Sequence, residues 1–248
     1  MLLSKYFIEK NLCKFPLAYA NLRIICGAKD WEKQTFLKTI RPRWTVVEIG
    51  ANLGYFTKLF QALVGNNGQV HAFEPVPSTF QQLQSSFSKG SNHCTLYNLG
   101  TSKEAGEVIF HIPVNDHGQA TMHPHDCYSW KDREIAEVLC SVIKLDEFIP
   151  ISSLTEINFI KIDVEGAELP SLQGSECILR KHKPLLFIEV CKAWMKSFGY
   201  NGKELEAYLR SLSYNKFEVV GRKLHTIDSM EFFLKSKGEE ESFNFLIS

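Results

Sequence analysis

The first residues able to do chemistry are an acid and two glycines at the end of an apolar run. Trp44-Thr45-Val46-Val47-Glu48-Ile49 leads directly into Gly50-Ala51-Asn52-Leu53-Gly54. A β-branched run ending in E-x-G-x-x-x-G reads as a parallel strand whose C-terminal turn lets a ligand approach bare backbone. Glu74-Pro75 closes the next apolar run, His71-Ala72-Phe73. An acid about 20 residues beyond such a turn, at the tip of the neighbouring strand, is placed to grip a ribose diol. Three residues separate Gly50 from Gly54, unlike the G-x-G-x-x-G that cradles a pyrophosphate. The ligand called for is a nucleoside without phosphates, with a cationic, amino-acid-like tail facing Glu48.

S-adenosylmethionine fits that description. Its expected contacts are Glu48, Gly50, Asn52, Gly54, Glu74, Pro75 and Asp163. The last belongs to a second acidic strand end, Asn158-Phe159-Ile160-Lys161-Ile162-Asp163-Val164-Glu165-Gly166-Ala167-Glu168. Another run, Pro184-Leu185-Leu186-Phe187-Ile188-Glu189-Val190, also finishes on an acid. Strands ending in Glu48, Glu74, Asp163 and Glu189 place these carboxylates along one edge of a parallel sheet, where open α/β folds bind ligands. Any one of these acids taken singly is equally an ordinary polar strand end.

In order, the stretches VVEIGANLGYFTKLF, VHAFEPVPSTFQQL, IKLDEFI, INFIKIDVEGAELPSLQG and PLLFIEV resemble the FkbM family of S-adenosylmethionine-dependent methyltransferases. They fall within roughly residues 31 to 220, and KIDVEGAE is the most specific of them. The resemblance implies an α/β class I (Rossmann-like) methyltransferase fold, a mostly parallel seven-stranded sheet with helices on both faces. It also implies O-methylation of a hydroxyl on a small molecule or glycan. In that fold the tip of the fourth strand faces the methyl position. Asp163 is therefore the first candidate for the base, with Glu165 and Glu189 in reserve, while Glu168 better suits the N-terminus of the following helix. The chain departs from the family at Glu48, where Asp is usual, and at Cys191, where His commonly follows I-E-V. The second departure keeps open a non-catalytic S-adenosylmethionine-binding protein. A nicotinamide-dependent oxidoreductase is the weaker alternative, since G-x-G-x-x-G is absent.

These residues need a scaffold, and 248 residues with 44% hydrophobic content are enough for one α/β domain. Lys plus Arg and Asp plus Glu both number 28, with no long like-charge run, so nothing marks a nucleic-acid partner. The seven cysteines form no C-x-x-C, which suits reduced thiols and a cytoplasmic setting. No apolar stretch reaches transmembrane length. Ala18-Tyr19-Ala20 mimics a signal-peptidase site, but Glu9, Lys10, Asn11 and Lys14 interrupt any apolar core before it.

Residues 1–43 read as an N-terminal helical extension and 44–248 as the methyltransferase domain. Periodicity places strands at 44–49, 69–73, 94–98, 107–112, 138–144, 157–162, 184–190, 216–220 and 242–247. Helices are expected at 55–64, 77–88, 168–181 and 202–212, with a short one within 145–150. Lys161 sits oddly in a buried strand and is expected to snorkel to the sheet edge or to pair with a strand-tip acid, snorkelling being preferred. Residues 113–137 have no period and read as a substrate-facing loop, with Tyr128 and Trp130 as stacking platforms and its histidines as hydrogen-bond partners. His111, His117, His123 and His125 with Asp116 and Asp126 invite a metal site, but they lack helical spacing and no metal is expected.

Overall fold

The computed structural model describes residues 30–87, 93–114, 116–127 and 130–248. The proposed leader up to residue 29, and Tyr128, lie outside the described residues. The chain runs α1 (Trp31–Thr39), β1 (Thr45–Ile49), α2 (Tyr55–Val64), β2 (Gln69–Phe73), α3 (Pro77–Ser85), β3 (Cys94–Tyr97), β4 (Gly100–Thr101), β5 (Gly106–Pro113) and β6 (Ile135–Ile143). It continues α4 (Ile149–Ser152), β7 (Phe159–Ile162), α5 (Glu168–Gln173), α6 (Glu176–His182), β8 (Leu185–Cys191), α7 (Lys192–Ser197), α8 (Gly202–Ser211), β9 (Phe217–Val219), β10 (His225–Ile227), α9 (Met230–Lys235) and β11 (Ser242–Ile247).

The main sheet has the order β10-β9-β11-β8-β7-β1-β2-β3. The five strands from β3 to β8 are parallel, whereas β11 inserts antiparallel beside β8 and β9. The expected seven strands are present, and β10 adds a short antiparallel edge as the eighth. Side-chain alternation divides the core between two faces. Val47, Ile49, Ile160, Ile162 and Ile188 pack on one face with Leu172, Leu205 and Leu209. Val46, Phe159 and Phe187 pack on the other with Phe36, Leu59 and Phe60.

A separate three-stranded sheet, β4-β6-β5, carries the irregular segment. Its Phe110, Ile112 and Val142 pack with Met122 against Val76 and Ala167, the residues just beyond the β2 and β7 tips. The small sheet thus caps one part of the edge where the acids converge.

The helix expected over 168–181 is two helices. A Cβ on Gly174 would stand 2.1 Å from the Ser102 carbonyl oxygen, so the chain breaks there to pack on the β4 turn. Asp146 restarts it by accepting the backbone N–H groups of Cys177 (2.8 Å) and Ile178 (2.9 Å), a cap from outside the local sequence. Helix α7 directly after β8, helix α9 and strand β10 are further elements that periodicity alone did not indicate.

Helix α1 is tied into the domain. Phe36 is fully buried and meets Phe56, Phe60 and Phe187 at centroid distances of 5.1, 5.0 and 4.5 Å. Phe36→Ala should therefore destabilise the domain by about 3–5 kcal/mol, read from urea unfolding. A loss no larger than that of a surface substitution would show α1 to be an appendage.

Candidate active site

The β1 turn is built around a close approach of two strands. Gly50 has φ +87°, and a Cβ there would stand 1.9 Å from the Asp163 carbonyl oxygen. The missing side chain is thus required first by the tip of β7, and only then leaves backbone open to a ligand. Asn52 and Gly54 continue the turn with positive φ. The Asn52 N–H donates to Glu74 Oε2 (2.9 Å), and the Val76 N–H donates to Glu74 Oε1 (3.0 Å). The Asn98 amide holds the Glu74 and Pro75 carbonyls from the end of β3 at 2.8 and 2.9 Å. Glu74 therefore stitches the β1 turn to the β2 turn.

Between these turns lies a small cleft, part of it open to solvent. Gly50, Asn52, Glu74, Pro75, Asp163 and Glu165 line it, all residues expected from sequence. Asn52 Oδ1 is buried there without a hydrogen-bond partner among the described residues, an acceptor suited to a ligand's hydroxyl or amine. Burial pushes Glu74 up to about 7, although the Val76 and Asn52 N–H groups oppose the shift.

Glu48, Gly54 and Glu189 are not in the cleft wall. Strand alternation turns Glu48 into the layer beneath α1 and α2. There it is 1% exposed and accepts from Thr57 Oγ1 at 2.6 Å, with burial raising it to about 7 against the Lys161 ammonium. Gly54 is bare because a Cβ would strike Leu83 at 2.4 Å and Phe87 at 2.9 Å, a helix-packing demand. Glu189 shares the face of Glu48 and Lys161 and reaches the cleft only through Asp163.

Lys161 does not snorkel. It is 2% exposed and donates to Asp163 Oδ2 at 2.8 Å. Burial acts to raise the Asp163 carboxyl, yet the Lys161 ammonium and hydrogen bonds from Glu189 and Lys161 hold it below its ordinary range. Glu189 is driven the other way, to about 9, by burial and then by the Asp163 charge. Asp163 is thus ionised at neutral pH while Glu189 keeps a proton. Glu32 of α1 joins the cluster, raised by burial and by Asp163, and accepts from the Asn244 amide at 2.6 Å. A depressed carboxyl is a weak proton acceptor, which counts against Asp163 as the base.

Glu168 is structural in its contacts. It accepts from the N–H groups of Gly166 (3.0 Å) and Val164 (3.3 Å) and from the Tyr200 hydroxyl (3.0 Å). Among the described residues no group of three or more His, Cys, Asp or Glu is arranged to hold a metal ion. His123 is exposed, His125 is buried, and His111 Nδ1 stands 3.6 Å from Glu137. Cys191 is buried and points its thiol at the Glu239 carbonyl (3.6 Å). Sequence reasoning missed Thr101, Phe110, Ala120 and Met122 in the cleft wall. Thr101, just past β3, was open to inference from strand order. Phe110 and Met122 carried no local signal, since the small sheet brings them there.

This strand order and cleft define a class I methyltransferase domain, whose cofactor is S-adenosylmethionine. The methyltransferase FkbM domain model matches residues 48–216, and the chain belongs to that family. It is 28% identical over 160 residues to the 31-O-demethyl-FK506 methyltransferase FkbM of Streptomyces tacrolimicus, covering 55% of this chain and 61% of that protein. It is 25% identical over 128 residues to the hexuronic acid methyltransferase AglP of Haloferax volcanii, covering 51% and 48%. The chain thus spans about half to three-fifths of the length of these curated relatives. A crystal structure of methyltransferase FkbM from Methylobacillus flagellatus shares the fold, with a TM-score of 0.50, 18% identity and coverage of 88% of this chain and 55% of that one. Among the described residues no helix is long and apolar enough to cross a membrane.

The raised carboxyls set a pH dependence. Folded pKa values above the ordinary 4.5, about 7 for Glu48, Glu74 and Glu168 and about 9 for Glu189, mean the folded chain holds protons the unfolded chain has lost. Stability should be greatest near the acidic end of that window and fall as pH rises through it. Melting temperatures recorded across the window should show this fall, and Glu189→Gln should flatten its alkaline part. An unchanged slope in that variant would place the proton elsewhere.

Proposed function

We propose that this domain transfers a methyl group from S-adenosylmethionine to a hydroxyl of a small molecule or glycan. The observation that carries the reading is Glu74, a buried carboxylate at the β2 tip. Two backbone N–H groups fix it beside bare Gly50 and the unpartnered Asn52 Oδ1. Each Glu74 oxygen retains acceptor capacity for a ribose hydroxyl. Leu99, Phe73 and Phe110 give the cleft apolar wall on which a purine can lie. Asp163 presents its negative charge to the cleft, steadied by Lys161 and by the Glu189 proton, and matches a ligand with a cationic end.

When bound, the cofactor supplies a methyl carbon already activated by positive sulfur. The protein's share is then mainly alignment of donor and acceptor, together with removal of the acceptor proton. The printed names of the Haloferax and Streptomyces relatives, a hexuronic acid methyltransferase and a 31-O-demethyl-FK506 methyltransferase, support an oxygen acceptor on a glycan or small molecule. Of the residues expected to be catalytic, Asp163 and Glu165 border the cleft, whereas Glu189 serves as the proton-bearing partner of Asp163.

Charge-assisted hydrogen bonds contribute about 1.5–3 kcal/mol each, so Glu74→Gln should weaken S-adenosylmethionine binding about tenfold or more. Calorimetry measures this, and unchanged affinity would remove Glu74 from the site. Labelled-methyl transfer onto hydroxylated acceptors tests the reaction itself, and binding without transfer to any of them would leave a non-catalytic cofactor-binding protein.

A further inference from the structure

Among the described residues, the titratable side chains lining the cleft are Glu74, Asp163 and Glu165, and the first two are committed. Glu74 receives a backbone N–H on each oxygen. Asp163 bonds the Lys161 ammonium at 2.8 Å, which keeps it a weak proton acceptor. Glu165 is different. It is 9% exposed, and among the described residues its Oε2 is buried with no hydrogen-bond partner. A buried carboxyl oxygen left unpaired needs a reason.

The fold works to hold this residue in place. Its φ is +53°, a conformation that a long side chain keeps only where the surroundings impose it, and such strain gathers at functional sites. From the small-sheet side, the Thr121 hydroxyl donates to the Glu165 carbonyl at 2.8 Å, and the His125 imidazole bonds the same carbonyl. From the other side, Glu168 Oε1 accepts the Val164 and Gly166 N–H groups at 3.3 and 3.0 Å. The Tyr200 hydroxyl donates to the Gly166 carbonyl at 3.0 Å. The backbone of the turn is thus fixed from two directions, while the carboxyl at the cleft is left with an unused oxygen.

The charges around that carboxyl suit a proton carrier. Burial, then Asp163 on β7, Glu189 on β8, Glu168 on α5 and Asp116 beyond β5, raises Glu165 well above its ordinary value. The Cys191 thiol at the end of β8 feels the same carboxyl and is itself raised, chiefly by burial. Burial lowers His125 to about 4, so it is neutral. None of these groups brings a positive charge. With the cleft empty Glu165 keeps its proton, and a cation entering the cleft favours the carboxylate. S-adenosylmethionine carries such a cation at sulfur, whereas S-adenosylhomocysteine lacks both the methyl group and that charge.

We propose that Glu165 is the catalytic base of the methyl transfer, left unpaired by the fold so that it can take the proton of the acceptor hydroxyl. The O–H bond breaks with its proton passing to the carboxylate, and an oxygen electron pair forms the bond to the methyl carbon. The pair of the broken C–S bond stays on sulfur, which becomes neutral. This role rests on the proposed methyltransferase function.

Calorimetry of the full chain in two buffers of different ionisation enthalpy, at neutral pH, counts the protons exchanged on binding. The unaltered chain should release more proton per S-adenosylmethionine than per S-adenosylhomocysteine. Glu165→Gln should erase that difference, with S-adenosylhomocysteine affinity kept within about twofold. In labelled-methyl transfer the same variant should lose about 10²–10⁴-fold in turnover. Glu165→Asn serves if Glu165→Gln does not fold, since a short amide side chain suits positive φ. A proton difference that survives the substitution, or turnover that does, overturns the base. If the unaltered chain binds neither ligand, the cofactor reading falls and the base with it. If the proton difference depends on Glu165 but the unaltered chain methylates no hydroxylated acceptor, the transfer reading fails, and Glu165 is a carboxyl facing the sulfonium rather than a base.

Discussion

One ammonium group inside the sheet governs the arrangement around it. Lys161 lies on β7, between β1 and β8, and is 2% exposed. Burying a charge without partners is prohibitive, so the surrounding strands must bring carboxyls. Glu48 stands opposite it on β1, Asp163 bonds it directly, and Glu189 shares a proton with Asp163. With more acids than base, one carboxyl must stay protonated, and the most strongly raised of these, Glu189, is the natural holder. The consequence is an ionised Asp163 fixed at the cleft wall by groups that never reach the cleft.

That tip is held just as firmly from the backbone side. Gly50 accepts the Asp163 carbonyl against its bare Cα, and the Asp163 N–H donates to the Ile49 carbonyl at 3.1 Å. Beyond Asp163 the chain turns through Glu165 and Gly166 at positive φ. Glu168 and Tyr200 then lock the turn, and a Cβ on Gly166 would meet the Phe198 ring at 2.7 Å. Positive φ at a non-glycine residue is a strained state that persists only where its surroundings impose it. Here they do, since Thr121 pins the Glu165 carbonyl and His125 packs beside it. The irregular segment is therefore docked on this turn, with the His111–Thr121 bridge and the Arg133–Asp116 ion pair at 3.0 Å closing it on itself.

Legibility followed the range of the forces involved. Helix 55–64 and strands 69–73 and 242–247 were readable to the residue, because each is one uninterrupted period with a turn at its end. Glu74, Asn52, Gly50 and Asp163 were readable because strand order in a parallel sheet sends successive C-terminal tips to one edge. The break at Gly174 was not readable, since Asp146 and Ser102, distant in sequence, impose it. Glu48 was assigned to the cleft from its place in the motif, yet alternation along a strand buried on both faces put it behind the wall. Lys161 was expected to reach solvent, but the carboxyls that make its burial tolerable come from neighbouring strands.

The sequence alone determined the parallel sheet, the acids at its tips and the family, because these rest on local periodicity and on short contiguous motifs. Tertiary structure alone decided which carboxyl is charged and which keeps its proton, because that depends on burial and on partners brought in by other strands. It also decided that Phe110 and Met122 approach the cleft. No local pattern encodes those meetings, which exist only once the small sheet has folded over the strand tips.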